Sequence, residues 1–260
     1  MRRVRTSAQD SVLLTGATAG VGLELAREFA RHGHPLIMVA PDAMELVNIA
    51  QRFHHEHGVM VLPIPADLQR PGTAADIFAQ LQADDVNVGI LVNHAAVSAH
   101  GRFDELPLEK EVEMLGLNIG AMVRLTKLLL PGMIARERGK VLNTAAAPAF
   151  TPAPLRAMSR AAATFVRSLS ESLAMELADT GVTVTALCLG AAESDDEADP
   201  AAAPGARHHS LSGKGSQGAA QAAYEALMGG VRVVEPEVPK DSSRSPFRRA
   251  SAEGVLGSGV

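Results

Sequence analysis

Short, β-branched apolar runs alternating with longer segments of helical periodicity constrain this chain more than any other feature. "SVLL", "PLIMVA", "VMVLPI", "GILVN", "KVLNT", "VTVTALCL" and "VRVVE" follow one another, and the segments between them carry apolar residues at a 3.6-residue period. That alternation predicts βαβ units and an α/β fold: a Rossmann-type doubly wound parallel sheet in a single domain. The spacing predicts helices over Val21–His32, Met44–His55, Thr73–Gln82, Lys110–Ala135, Ala157–Ala178 and Gln217–Met228. Evenly spaced apolar segments from Val12 to Val234, in a chain of 260 residues, suit one core rather than two.

Composition marks off the ends of that unit. Residues 1–10 read as a flexible arm, 11–240 as the domain, and Asp241–Val260, small, polar and basic, as a disordered tail. Ala191–Gly218, "AAESDDEADPAAAPGARHHSLSGKGSQG", is a break rich in Ala, Pro, Gly and Ser, expected to be a mobile, lid-like loop. The net charge of −5 comes with no basic stripe beyond Arg2, Arg3 and Arg5, which argues against a nucleic-acid partner. Cys188 is the single cysteine, so neither an internal disulfide nor a zinc spacing is available. "FHHEHG" puts His54, His55 and His57 at a helix end, where imidazoles satisfy terminal carbonyls, and no metal site is expected. No apolar run nears the roughly 20 residues of a membrane span, the longest being interrupted at Pro131 and Gly132. With no export signal in view, a soluble cytoplasmic protein without a membrane partner is expected.

Chemistry is suggested first by "VLLTGATAGVGLELAREFARHG", a strand, a turn holding Gly16, Gly20 and Gly22, and a helix. Glycines there let the backbone turn tightly and approach a pyrophosphate, whose charge sits on the free N–H groups of the helix start. Asp67 follows the third strand, where a carboxylate can accept from an adenine amino group, and Asn93 closes the fourth. Asn118 sits within a long helix, where an amide is disfavoured unless it bonds to something. Each of these, taken singly, also reads as an ordinary loop or cap residue.

Their order and spacing together resemble the short-chain dehydrogenase/reductase family over roughly Ser11 to Leu189. The resemblance implies a dinucleotide cofactor, NAD or NADP, held by the loop "TGATAGVG" through Thr15, Gly16, Thr18, Gly20, Val21 and Gly22, with Asp67 at the adenine and Asn93 in "NHAA". The family usually has Asn-Asn-Ala-Gly at that last motif, so His94 and Ala96 are departures. Asn118 corresponds to the helix asparagine of the family's catalytic set. The preference between the two cofactors is weakly marked: Asp42 lies where it could reach a ribose 2′-hydroxyl, and reads equally well as the cap of the next helix.

In the family a serine after the fifth strand and a Tyr-x-x-x-Lys on the next helix carry the proton chemistry; the tyrosine is the acid or base, and the lysine lowers its pKa and holds the nicotinamide ribose. With "GKVLN" and "FVRSLSESLAMEL" fixing the register, those positions fall on Ala146, Ser159 and Ala163. The only tyrosine is Tyr224, and no Tyr-x-x-x-Lys occurs anywhere in the chain. A serine hydroxyl at position 159 would need a strong neighbouring base, and Arg156 and Arg160 are poor proton acceptors.

Three readings follow. A pseudoenzyme would act by binding cofactor or a partner; a working oxidoreductase on a small carbonyl or alcohol would need another acid, such as His94, His100 or a water held by Asn118 and Ser159; a non-redox enzyme would reuse the cleft. The resemblance further implies a homodimer or homotetramer through apolar faces at Leu115, Ile119, Met122, Phe165, Leu169 and Leu173, with a small molecule or a protein as further partner.

Overall fold

A computed structural model describes residues 10–146, 155–189 and 215–234. Seven parallel strands form one sheet: β1 (Ser11–Thr15), β2 (Leu36–Ala40), β3 (Val61–Pro65), β4 (Val88–Asn93), β5 (Gly139–Ala146), β6 (Val182–Leu189) and β7 (Val233–Val234), in the order β3-β2-β1-β4-β5-β6-β7. The order reverses between β1 and β4, and crevices for ligands open at the carboxyl ends of the strands at such a switch point. The expected fold class is the one found.

Alternation along each strand divides the core into two layers. Val12 and Leu14 of β1 and Ile90 and Val92 of β4 join α1 (Gly20–Arg31), α2 (Ala43–His57) and α7 (Gly215–Met228) on one face. Leu13 and Leu91 point the other way, against α3 (Thr73–Ala83), α5 (Met122–Ala135) and α6 (Ala157–Glu176). Strands buried on both faces are apolar at most positions, which is why they read as near-continuous apolar runs.

The helix predicted over Lys110–Ala135 is present and starts two residues earlier: α4 (Leu108–Leu115), a π-helical stretch (Gly116–Ala121) and α5 run on as one helix through Pro131. Pro131 lies one turn from its end, where a missing N–H costs a single ladder bond. By length and composition alone this helix, Leu108–Ala135, would suffice to cross a membrane; in the fold Leu125, Leu129 and Met133 bury against the sheet. One sequence expectation needs correction: Gly215 and Ser216, read as loop, open α7, which runs Gly215–Met228 where a helix from Gln217 is predicted. The rest of that loop, the arm up to residue 9 and the tail lie outside the described residues.

Candidate functional site

The turn after β1 owes its shape to its glycines. Gly16 has φ +70°, and a Cβ there would lie 2.9 Å from the Ala95 backbone; one on Gly22 would meet Gly16 O at 2.0 Å and the His94 ring at 2.5 Å. The loop after β4 is therefore pressed directly onto the turn. Thr15 secures the contact: its buried hydroxyl donates to Val92 O (3.3 Å) and accepts from the N–H groups of His94 (3.0 Å) and Ala95 (3.1 Å). Thr15 thus positions the turn, while Gly16 and Thr18 line the cleft beside it.

α1 starts at Gly20 with Ala19 at its cap, so no side chain accepts from its first N–H groups, and its first turn holds no acid. Uncapped donors at the mouth of a cleft suit a phosphate. α2 is the contrast: Asp42 Oδ1 accepts from Glu45 N at 2.9 Å. Asp42 thereby acts as a helix cap, and it is its neighbour Pro41 that lines the cleft.

The cleft has a volume of about 300 Å³ and runs from Gly16 and Thr18 past Pro41 and Asp67 to His94 and Val97. Asp67 is exposed on it, with Oδ1 accepting from Gln69 N at 3.0 Å. Asn93 is buried below: Nδ2 donates to Asn143 Oδ1 (2.8 Å) and Thr126 Oγ1 (3.2 Å), and Asn143 Nδ2 donates in turn to Ser170 Oγ (2.9 Å). This buried chain ties β4 and β5 to α5 and α6. Sequence reasoning found Asn93 and missed Asn143, although an amide amid the apolar run "KVLNT" was the signal.

His94 occupies the seam between the turn and the sheet. Thr144 donates its hydroxyl to Asn93 O (3.4 Å) and so accepts from His94 Nδ1–H (3.1 Å), a pairing that assigns the ring's tautomer and leaves the lone pair on Nε2. The residue keeps some exposure, yet enough protein surrounds the imidazole that burial pushes its pKa down to about 4.

Asn118 and Ser159 both turn towards the same loop. Asn118, inside the π-helical stretch, accepts from Val97 N (2.9 Å) and donates to Val97 O (2.8 Å). Ser159 accepts from Ala99 N and donates to Ala99 O, both at 3.2 Å, with Met114 Sδ at 3.3 Å. Ala163 is buried with Met122, Ala145, Val166 and Cys188 in a small apolar cluster. Ala146 ends β5; its side chain lies outside the described residues. Tyr224 stacks on His32, the residue that ends α1, ring centroids 4.1 Å apart, and does not line the cleft.

Residues 10–202 match the family described as short chain dehydrogenase. The chain belongs to that family. Among its relatives are a very-long-chain 3-oxoacyl-CoA reductase of Anas platyrhynchos, 31% identical over 178 residues, covering 66% of this chain and 56% of that protein, and the oxidoreductase UcpA of Escherichia coli K12, 32% identical over 69% of this chain and 68% of its own. The chain thus spans little more than half the length of the first of these. A short-chain dehydrogenase from Sphingobium yanoikuyae, solved with NADPH, superposes with a TM-score of 0.79 at 29% identity, covering 88% of each chain.

Proposed function

We propose that this member of an oxidoreductase family binds NAD or NADP in the cleft and lacks the proton-transfer groups that its relatives' type of chemistry uses. It then acts through binding of the cofactor or of a partner. One observation carries the reading: on α6, Ser159 spends its hydroxyl on Ala99 of the loop after β4, and Ala163 is packed among apolar side chains. By the register of the resemblance these are the family's tyrosine and lysine positions, with Ala146 at the serine. The uncapped start of α1, the glycine turn and Asp67 support retention of the nucleotide site. The match to an NADPH-bound relative supports it too.

His94 is a poor substitute acid. With its pKa near 4 the imidazole is neutral at pH 7, and a general acid works best with a pKa near the operating pH. Loss of a general acid costs roughly 10² to 10⁴ in rate. The test is calorimetric titration with NADH and NADPH, on the wild type and on Gly16→Asp with its fold checked by circular dichroism, followed by a carbonyl-reduction screen. Binding abolished in the variant, without turnover, is expected. Efficient turnover that depends on this pocket would overturn the reading, and turnover lost with His94→Asn would restore histidine as the acid.

A further inference from the structure

Both departures in "NHAA", His94 and Ala96, line the cleft, and of the two only His94 carries a hydrogen-bonding side chain. Its ring stands against the first turn of α1, since a Cβ on Gly22 would come within 2.5 Å of His94 Cδ2. Nδ1–H is committed to Thr144 Oγ1 at 3.1 Å, and no described residue bonds to Nε2. Among the described residues the sealed-in polar atoms without a partner include Asn93 Oδ1 and Thr183 Oγ1 but not this nitrogen. Its open side is the cleft that the residue lines.

A neutral imidazole whose Nδ1–H is already spent can only accept at Nε2. Burial keeps the ring neutral at pH 7, and the positive end of a helix dipole beside it disfavours a cation in the same sense. The lone pair repels an anion, so the phosphates that suit the uncapped N–H groups of α1 are not its partner. In a dinucleotide the group joined to each phosphate is a ribose, and ribose hydroxyls are neutral donors. A ligand whose phosphate rests on the turn therefore brings a ribose hydroxyl next to that turn, where the His94 ring lies. The other strong donor of the ligand, the adenine amino group, is suited by the Asp67 carboxylate. The neutrality that makes His94 a poor acid makes it a competent acceptor.

We propose that His94 Nε2 accepts a hydrogen bond from a ribose hydroxyl of the bound dinucleotide, with Thr144 as the positioning residue that fixes the tautomer of the ring. The inference rests on the cofactor-binding reading above and deepens it by making His94 a ligand contact. An asparagine at this position could turn either its oxygen or its nitrogen to a ligand; the imidazole held by Thr144 offers an acceptor alone.

Nitrogen NMR at pH 7 of the full chain labelled at histidine, with calorimetric titration of NADH alongside, tests it. The signals missing from His94→Phe, its fold checked by circular dichroism, are those of His94. In the free protein Nδ1 should carry the proton and Nε2 none; saturation with NADH should move the Nε2 resonance while the proton stays on Nδ1. His94→Phe keeps a ring and removes the acceptor, and should bind NADH about three- to tenfold more weakly. In Gly16→Asp the Nε2 resonance should stay still when NADH is added. Heat of binding with Nε2 unmoved would overturn the inference and leave the cofactor-binding reading standing. A proton transferred to Nε2 would do the same, since the ring would then be donating to a phosphate or carbonyl oxygen. Unchanged affinity in His94→Phe, or the same movement of Nε2 in Gly16→Asp, would also overturn it. No heat from the wild type would overturn both.

Discussion

Ser159 shows how much one hydroxyl can be asked to do: its O–H donates to Ala99 O and it accepts from Ala99 N, leaving no hydrogen to donate to a substrate. Each such bond contributes about 0.5 to 1.5 kcal/mol net. Ser159→Ala should therefore lower unfolding stability by about 1 to 2 kcal/mol in urea titrations; an unchanged midpoint would mean that the loop is held without it. His94 acts in the opposite sense with pH. The fold depresses its pKa from 6.5 to about 4 and so favours the neutral ring, whereas the unfolded chain takes up a proton near pH 6.5. Its stabilising contribution is complete above pH 6.5 and is lost as pH falls from there towards 4, by as much as about 3 kcal/mol. Burial lowers the His34 pKa too, so that residue adds to acid lability in the same direction. Urea unfolding at pH 7.0 and 4.5 should show a smaller acid loss for His94→Asn than for the wild type, with a residual slope from His34.

Among the elements, α1 and α2 start alike in sequence position and differently in chemistry. Both follow a strand of the same sheet half, yet α1 begins on Ala19 with its N–H groups uncapped, while Asp42 caps α2. The cap satisfies a donor at the start of α2, whereas the start of α1, at the mouth of the cleft, leaves its N–H groups open to an anion. Asp42→Ala should accordingly cost about 1 kcal/mol of stability. NADH affinity should stay put; a clear loss would place Asp42 at the ribose after all. The long helix from Leu108 to Ala135 makes a comparable division of labour, since its π-helical stretch, Gly116–Ala121, carries Asn118 to the loop after β4. Periodicity could reveal the helix but not the extra residue in its turn, because one inserted residue only shifts an apolar stripe that is already broad.

Across the whole molecule, legibility followed the hydrophobic pattern. β6 was readable to the residue, Val182–Leu189, because its residues are β-branched or apolar throughout, as suits an interior strand. The first two residues of α7, Gly215 and Ser216, were not, since glycine and serine prefer turns and it is packing of α7 against α1 that favours the helix. Site glycines were legible as glycines, while the buried ties of Thr15, Asn143 and Ser170 were not, because a polar residue's partners come from elements remote in sequence. The expected assembly face divides the same way. Met122 is buried within the protomer and can contribute nothing outside it, whereas Leu108 and Val112 on α4 and Phe165 on α6 stand well exposed. α4 and α6 touch, so these side chains lie on neighbouring helices and would be covered together if two copies paired there. In a two-fold interface each residue is used twice. Burying one large apolar side chain contributes about 1.5 to 3 kcal/mol, so Phe165→Asp should weaken such a dimer by about 3 kcal/mol or more, roughly a hundredfold in dissociation constant. Sedimentation at low micromolar concentration should then find the variant monomeric where the wild type is paired; a wild type that already sediments as a monomer would remove this face from the list of interfaces.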